Sequence, residues 1–112
     1  MKTLTLIFAL IAVVVVGCTS SAGVAQRKDW PRSVDEAATR ILGTMSEADK
    51  QRVRATKKDD LIQFHHGWGT GIRNDFGLWG GNKELMADCH AANPDDASMV
   101  IIEAVWQRLQ KQ

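Results

Sequence analysis

The residues able to do chemistry gather in two places. His65, His66 and Arg73 lie in the run FHHGWGTGIRNDFGLW, Phe64 to Trp79, and Cys89, His90, Asp95, Asp96 and Ser98 follow shortly after it. A zinc site would draw on His65, His66, Cys89 and His90. Adjacent histidines on a helix point about 100° apart, and none of the four is matched at an i, i+4 ligand spacing, so no metal is assigned. Cys89 and His90 are chain neighbours, a poor geometry for an imidazole that must activate a thiolate. A hydrolase would combine Ser98 with His65 or His66 and Asp96, but Ser98 falls in the first turns after Pro94 without a nucleophile-elbow sequence around it. Gly67-Trp68-Gly69-Thr70-Gly71 lacks the spacing, the preceding strand and the following Lys-Ser/Thr of a phosphate loop. Asp75-Phe76-Gly77 matches a kinase metal-binding tripeptide in a chain too short for the rest of that machinery. No catalytic residue and no cofactor is assigned.

Binding is the alternative, and it depends on how the central run is wound. Read as one helix from Asp59 to about Phe76, advancing about 100° per residue from Gly67, the run places Phe64, Trp68, Leu61, Ile72, His65, Phe76, Gly69 and Ile62 on one apolar arc. That arc is a core face. His65 falls near its middle and is expected to be a buried, neutral, hydrogen-bonded imidazole. Gly69 falls there too, where a missing side chain lets a neighbouring helix approach. Gln63, Gly67, Thr70, Gly71 and Asn74 form the opposite face, where the glycines weaken the helix by about 1 kcal/mol each relative to alanine. Either the fourth helix or the N-terminal tether covers these small residues, or the face is left open for a partner. His66 and Arg73 sit at its edge, roughly 10 Å apart along the axis. They could share a small anion, or Arg73 could pair with Asp95 or Asp96 and fix the angle between two core helices.

The elements that must position these residues are marked by their start signals. Trp30-Pro31 opens the folded part, and Ser33 with Glu36 matches a capping box. Val34, Ala37, Ala38, Ile41 and Leu42 then recur at helical spacing. Ser46 with Asp49 opens a more polar helix whose sizeable apolar residue is Val53, and Lys57 to Asp60 reads as a turn. Gly80-Gly81 ends the central helix, and Asn82 can cap a short fourth helix, Lys83 to Ala92. Asn93-Pro94-Asp95-Asp96 supplies an N-cap, a proline at the first helical position and two first-turn acids. Met99, Ile102, Val105, Trp106 and Leu109 continue that last helix as an apolar stripe. No stretch alternates with period two, so the expected fold is all-α, a bundle of four to five helices over residues 30–112.

The N-terminus predicts where the protein resides. Residues 1–17, MKTLTLIFALIAVVVVG, carry one cation and then an apolar run of secretory signal-peptide type. As a helix that run reaches about 20 Å, short of the roughly 30 Å hydrocarbon core. Val15-Val16-Gly17-Cys18 resembles a bacterial lipobox, in which the cysteine is acylated and becomes the new N-terminus. Residues 18–29 are then the lipidated Cys18 and a flexible tether. Two or three acyl chains anchor a protein durably, where one does not. Thr19 after the cysteine resembles lipoproteins sorted to the outer membrane of a Gram-negative host, facing the periplasm. Cleavage removes Lys2 from the 14 Lys plus Arg and leaves all 13 Asp plus Glu, so the mature chain is formally neutral. No basic excess draws it to nucleic acid. With Cys18 acylated, Cys89 has no disulfide partner and is expected to be buried.

His65-x-Gly67-x-Gly69-x-x-Ile72-Arg73-Asn74, then Leu78-Trp79, then Pro94-Asp95-Asp96-x-Ser98 with an apolar helix behind it, resembles a group of bacterial domains that carries only a domain-of-unknown-function label. The resemblance spans about Asp59 to Leu109. It implies a small, mostly helical domain, brings no activity, substrate or cofactor, and draws His65, Arg73, Asn74, Asp95, Asp96 and Ser98 into one cluster. Three functions stay open. The first is a membrane-anchored binding or structural module that docks an envelope protein through Gly67, Thr70, Gly71 and Asn74, with His66 and Arg73 at the edge. The second is a small hydrolase or anion-binding protein using His65, Arg73, Asp95 and Asp96. The third is an immunity-type lipoprotein that neutralises an envelope toxin.

Overall fold

Four of the five α-helices among the described residues begin at a side-chain cap. A computed structural model describes residues 29–112; the signal-peptide, lipidation and most of the tether expectations lie outside the described residues. Ser33 caps α1 (Val34–Thr44) and accepts from the Glu36 amide. Ser46 caps α2 (Glu47–Ala55) through the Asp49 amide. Gly67 precedes α3 (Trp68–Asp75) with no side-chain cap. Asn82 caps α4 (Lys83–Asp88), and Asn93 caps α5 (Pro94–Gln110) with Pro94 in its first turn. The first capping box closes one residue out of register, because Glu36 accepts from the Arg32 amide.

With no strand among the described residues, the domain is an all-α bundle built on α5. Ala97, Ile101, Ile102, Val105 and Leu109 recur at helical spacing and are buried, and α5 packs against α1, α2, α3 and a 3-10 helix (Lys58–Phe64). Ala37 and Ala38 are fully buried on α1, so that helix meets α5 through small side chains. Val53 anchors α2 to the same core. Polar ties reinforce the packing. Trp106 Nε1 donates to the Thr56 carbonyl at 2.7 Å, Arg54 Nε donates to the Leu109 carbonyl at 3.0 Å, and the Val34 amide donates to Asp88 at 2.7 Å.

The central run is not one α-helix. Lys58–Phe64 is 3-10, His65 to Gly67 is a turn, and only Trp68–Asp75 is α-helical. At three residues per turn, Leu61 and Phe64 stack on one side and both are buried. A 3-10 helix advances about 120° per residue rather than 100°, so positions far from Gly67 slip out of the expected arc. Ile62 shows it: expected in the core, it is 62% exposed. Phe64, Gly69 and Ile72 stay buried, while His65, Trp68 and Phe76 are half-buried. The fourth helix is also shorter than expected. It ends at Asp88, and His90 takes a left-handed conformation (φ 53°) that closes it.

The start of the domain is held by two residues. Gly77 has φ +69°, and a β-carbon there would fall inside the Trp30 indole. Buried Asn82 donates to the carbonyls of Pro31 (2.9 Å) and Phe76 (2.8 Å) while accepting from the Leu85 amide (3.3 Å). One side chain thus caps α4, receives the end of α3 and holds the chain before α1.

Candidate functional site

Arg73 faces inward, away from the small-residue face whose edge it was expected to form. The side chain is 7% exposed. Nη1 donates to Ser98 Oγ at 2.9 Å, Nη2 donates to Thr70 Oγ1 at 2.9 Å and to the His65 carbonyl at 3.3 Å, and Nε lies 3.4 Å from Asp95 Oδ1. Ser98, fully buried, donates to the Asp95 carbonyl at 2.8 Å. The network joins the end of α3 to the first turn of α5. Asp95 is half exposed, so the buried part of the network is the guanidinium with its neutral acceptors, and removing one of those acceptors costs about 1.5–3 kcal/mol. Gly69 makes the slot: a β-carbon there would lie 3.0 Å from Arg73 Nη1 and 3.3 Å from the Phe64 carbonyl.

This arrangement builds structure from several of the candidate residues. Ser98 has no exposure to a substrate, and its proton is engaged by a carbonyl. Asp96 accepts from Asn93 and belongs to the cap of α5, apart from the Arg73 contacts. His65 differs from the fully buried, bonded imidazole of the sequence reading. It is half-buried, its Nδ1 has no hydrogen-bond partner among the described residues, and its ring meets His66 edge-on at 5.0 Å. Of the two alternatives for Arg73, the structure shows the pairing with Asp95, and the guanidinium turns inward while His66 is exposed. Cys89 is buried, with Sγ donating to the Ala97 carbonyl at 3.7 Å. Burial, with the neighbouring Asp88 carboxylate adding to it, pushes its thiol up to about 11. Among the described residues no group of three or more His, Cys, Asp or Glu side chains converges on a metal position.

Among the described residues the outer side of α3 is open, and most of the tether that could cover it lies outside them. Among the described residues, nothing lies within 4 Å of a β-carbon built at Gly67 or Gly71, and Thr70 and Asn74 are exposed. α4 therefore does not cover this face. Gly67 is the N-cap of α3, where glycine is well tolerated. Gly71 is mid-helix with no left-handed φ, and packing among the described residues does not account for it. Beside Gly71 runs an open groove of about 450 Å³, whose apolar wall includes Ile41, Met45, Ile72 and Phe76 and whose rim includes Arg40 and Asp75. It adjoins a second groove of about 300 Å³ beside Gly67, with Trp68 and Met45 lining both. Phe64 meets Trp68 edge-on, and the Arg52 guanidinium sits 5.4 Å over the Phe64 ring. The groove beside Gly71 therefore has an apolar floor and a rim of mixed charge.

Gly69 is buried and close to Ser98 of α5, as its place on the apolar arc implied, whereas sequence reasoning missed the parts played by Trp30 and Asn82 in this frame. Asn82 was legible as a cap, but its two long-range acceptors have no local signature. No curated protein and no solved structure matches the chain. The buried ties from Trp30 at one end to Leu109 at the other coincide with the span matched by a family model, residues 30–109, described as Domain of unknown function (DUF6794), and the chain belongs to that family.

Proposed function

We propose that this chain is a lipid-anchored envelope protein whose helical domain is a docking module, receiving an envelope protein on the outer face of α3. Gly67, Thr70, Gly71 and Asn74 present that face, and His66 lies on the exposed turn before it. Gly71 carries the proposal: an interior helical glycine that the fold does not use, standing beside an apolar groove. A residue without a side chain lets a partner's backbone come close, which offsets the propensity cost of about 1 kcal/mol. The inward Arg73, held by buried Ser98 and half-exposed Asp95, fixes α3 at its angle to α5, so the open face is presented rigidly. The anchor reading rests on the apolar run through Val16, the lipobox-like Val15-Val16-Gly17-Cys18 and the small, polar residues that follow the cysteine. In a Gram-negative host, Thr19 after the cysteine supports an outer-membrane location facing the periplasm.

Both halves are testable in the native host. Mass spectrometry of the purified protein should find Cys18 acylated at the mature N-terminus, and Cys18→Ser should release the domain from the membrane fraction. A photo-crosslinker at position 74, whose side chain is exposed, should capture one dominant envelope protein. An unmodified Cys18 would end the anchoring proposal, and an empty crosslink would end the docking proposal.

A further inference from the structure

Trp79 is 63% exposed in a bundle whose other described tryptophans are at least half-buried. It lies in the turn from Gly77 to Gly81, and that turn is pressed against Trp30: a β-carbon at Gly77 would enter the indole, and one at Gly80 would lie 3.7 Å from it. The turn that exposes Trp79 is thus locked to the residue at which the chain enters the domain. Asn82, immediately after it, adds a bond to the Pro31 carbonyl at 2.9 Å. A chain extends at most about 3.3–3.6 Å per residue, so Trp30 stays within about 40 Å of Cys18.

We propose that the Gly77–Gly81 turn is a membrane-contact site, with the Trp79 indole seated in the headgroup layer of the bilayer that holds the acyl chains. The inference rests on the lipid-anchor reading of Cys18. Tryptophan suits this layer because its ring is largely apolar while its N–H needs a polar partner, and both are met at a bilayer interface. The surrounding charges point to interfacial seating rather than electrostatic capture. Arg32 and Lys83 line the adjoining groove, but Arg32 is paired with Glu84 at 2.8 Å, leaving little net charge to attract anionic lipid. Contact should therefore survive added salt. It would also give the domain a fixed attitude on the membrane, which an acyl tether alone does not.

The test uses the acylated protein purified from its host and reconstituted into phosphatidylethanolamine/phosphatidylglycerol vesicles, with and without lipids brominated near the headgroup. The fluorescence difference between wild type and Trp79→Phe isolates Trp79. We expect bromine to remove more than about half of that difference signal, with little change on adding 0.5 M salt, and to leave the signal of Trp79→Phe nearly intact. Circular dichroism checks that Trp79→Phe keeps its helices. If the protein is acylated and floats with the vesicles but Trp79 is unquenched, the membrane-contact site is overturned and the anchor stands. Absence of acylation and flotation overturns both.

Discussion

Gly69 and Gly71 lie two residues apart on α3, and the structure predicts opposite results from the same substitution. Gly71→Ala adds a methyl group where nothing lies within 4 Å. It should raise stability by about 0.5–1 kcal/mol through helix propensity and reduced freedom of the unfolded chain. Gly69→Ala gains the same propensity, but its β-carbon arrives 3.0 Å from Arg73 Nη1 and 3.3 Å from the Phe64 carbonyl. The carbonyl is backbone. The guanidinium is held by Ser98 and Thr70 at 2.9 Å each, so it cannot withdraw freely. Loosening one hydrogen bond to a charged group costs about 1.5–3 kcal/mol, so the net change is a loss of about 1–2 kcal/mol. In a domain of this size, 1 kcal/mol moves Tm by about 4–8 °C. Thermal melts followed by circular dichroism should separate the two variants by on the order of 10 °C. A second Gly69→Ala melt in an Arg73→Ala background isolates the cause, because the penalty should shrink once the guanidinium is gone. If Gly69→Ala proves as stabilising as Gly71→Ala, the slot argument fails, and with it the division of α3 into a structural side and an open side.

Other parts of the frame give further expectations. Gly77→Ala combines a left-handed φ of +69° with collision into Trp30, and should cost more than about 2 kcal/mol in a denaturant melt. Asn82→Ala strands the Pro31 and Phe76 carbonyls and should cost about 2–4 kcal/mol, with protection from hydrogen exchange falling first around residues 30–34. Cys89 should resist a thiol reagent at pH 8 while folded and react at once in denaturant. Its folded pKa of about 11 stands above the ordinary value of 9.0, so the folded state keeps a proton that the unfolded chain loses. Stability from this source is complete below about pH 9 and is lost as pH rises towards 11, and Cys89→Ala should flatten the fall across that window.

The legible parts of the fold were those set by neighbours in the chain. Ser33, Ser46, Asn82 and Asn93 act through amides three residues on, and each caps a helix as its spacing implied. The stripe on α5 was readable because one helix repeats one geometry. The 3-10 stretch was not, since Asp59 to Phe64 carries no residue that forbids an α-helix; tertiary burial of Leu61 and Phe64 decides it. At the candidate site, a tie from Arg73 to an aspartate opening the last helix was one of the pairings considered, because both lie at helix ends. The direction of Arg73 was misjudged from the assumption of one continuous helix. Gly69 was readable as a close-packing glycine, but Ser98 and Thr70 became intelligible only when the guanidinium was located. Gly71 is the reverse case: nothing among the described residues packs against it, and the proposed docking face is what gives it a role.

Crosslinking in cells from position 74, compared between wild type and Gly71→Leu, bears most directly on the docking face. Leucine at 71 projects into open space, favours the helix and fills the groove, so the variant should fold at least as well as wild type while its dominant crosslinked band disappears. Loss of the band with an unchanged or higher Tm is the predicted result. A folded Gly71→Leu protein that captures the same partner with the same yield would show that the open face of α3 is not where docking occurs.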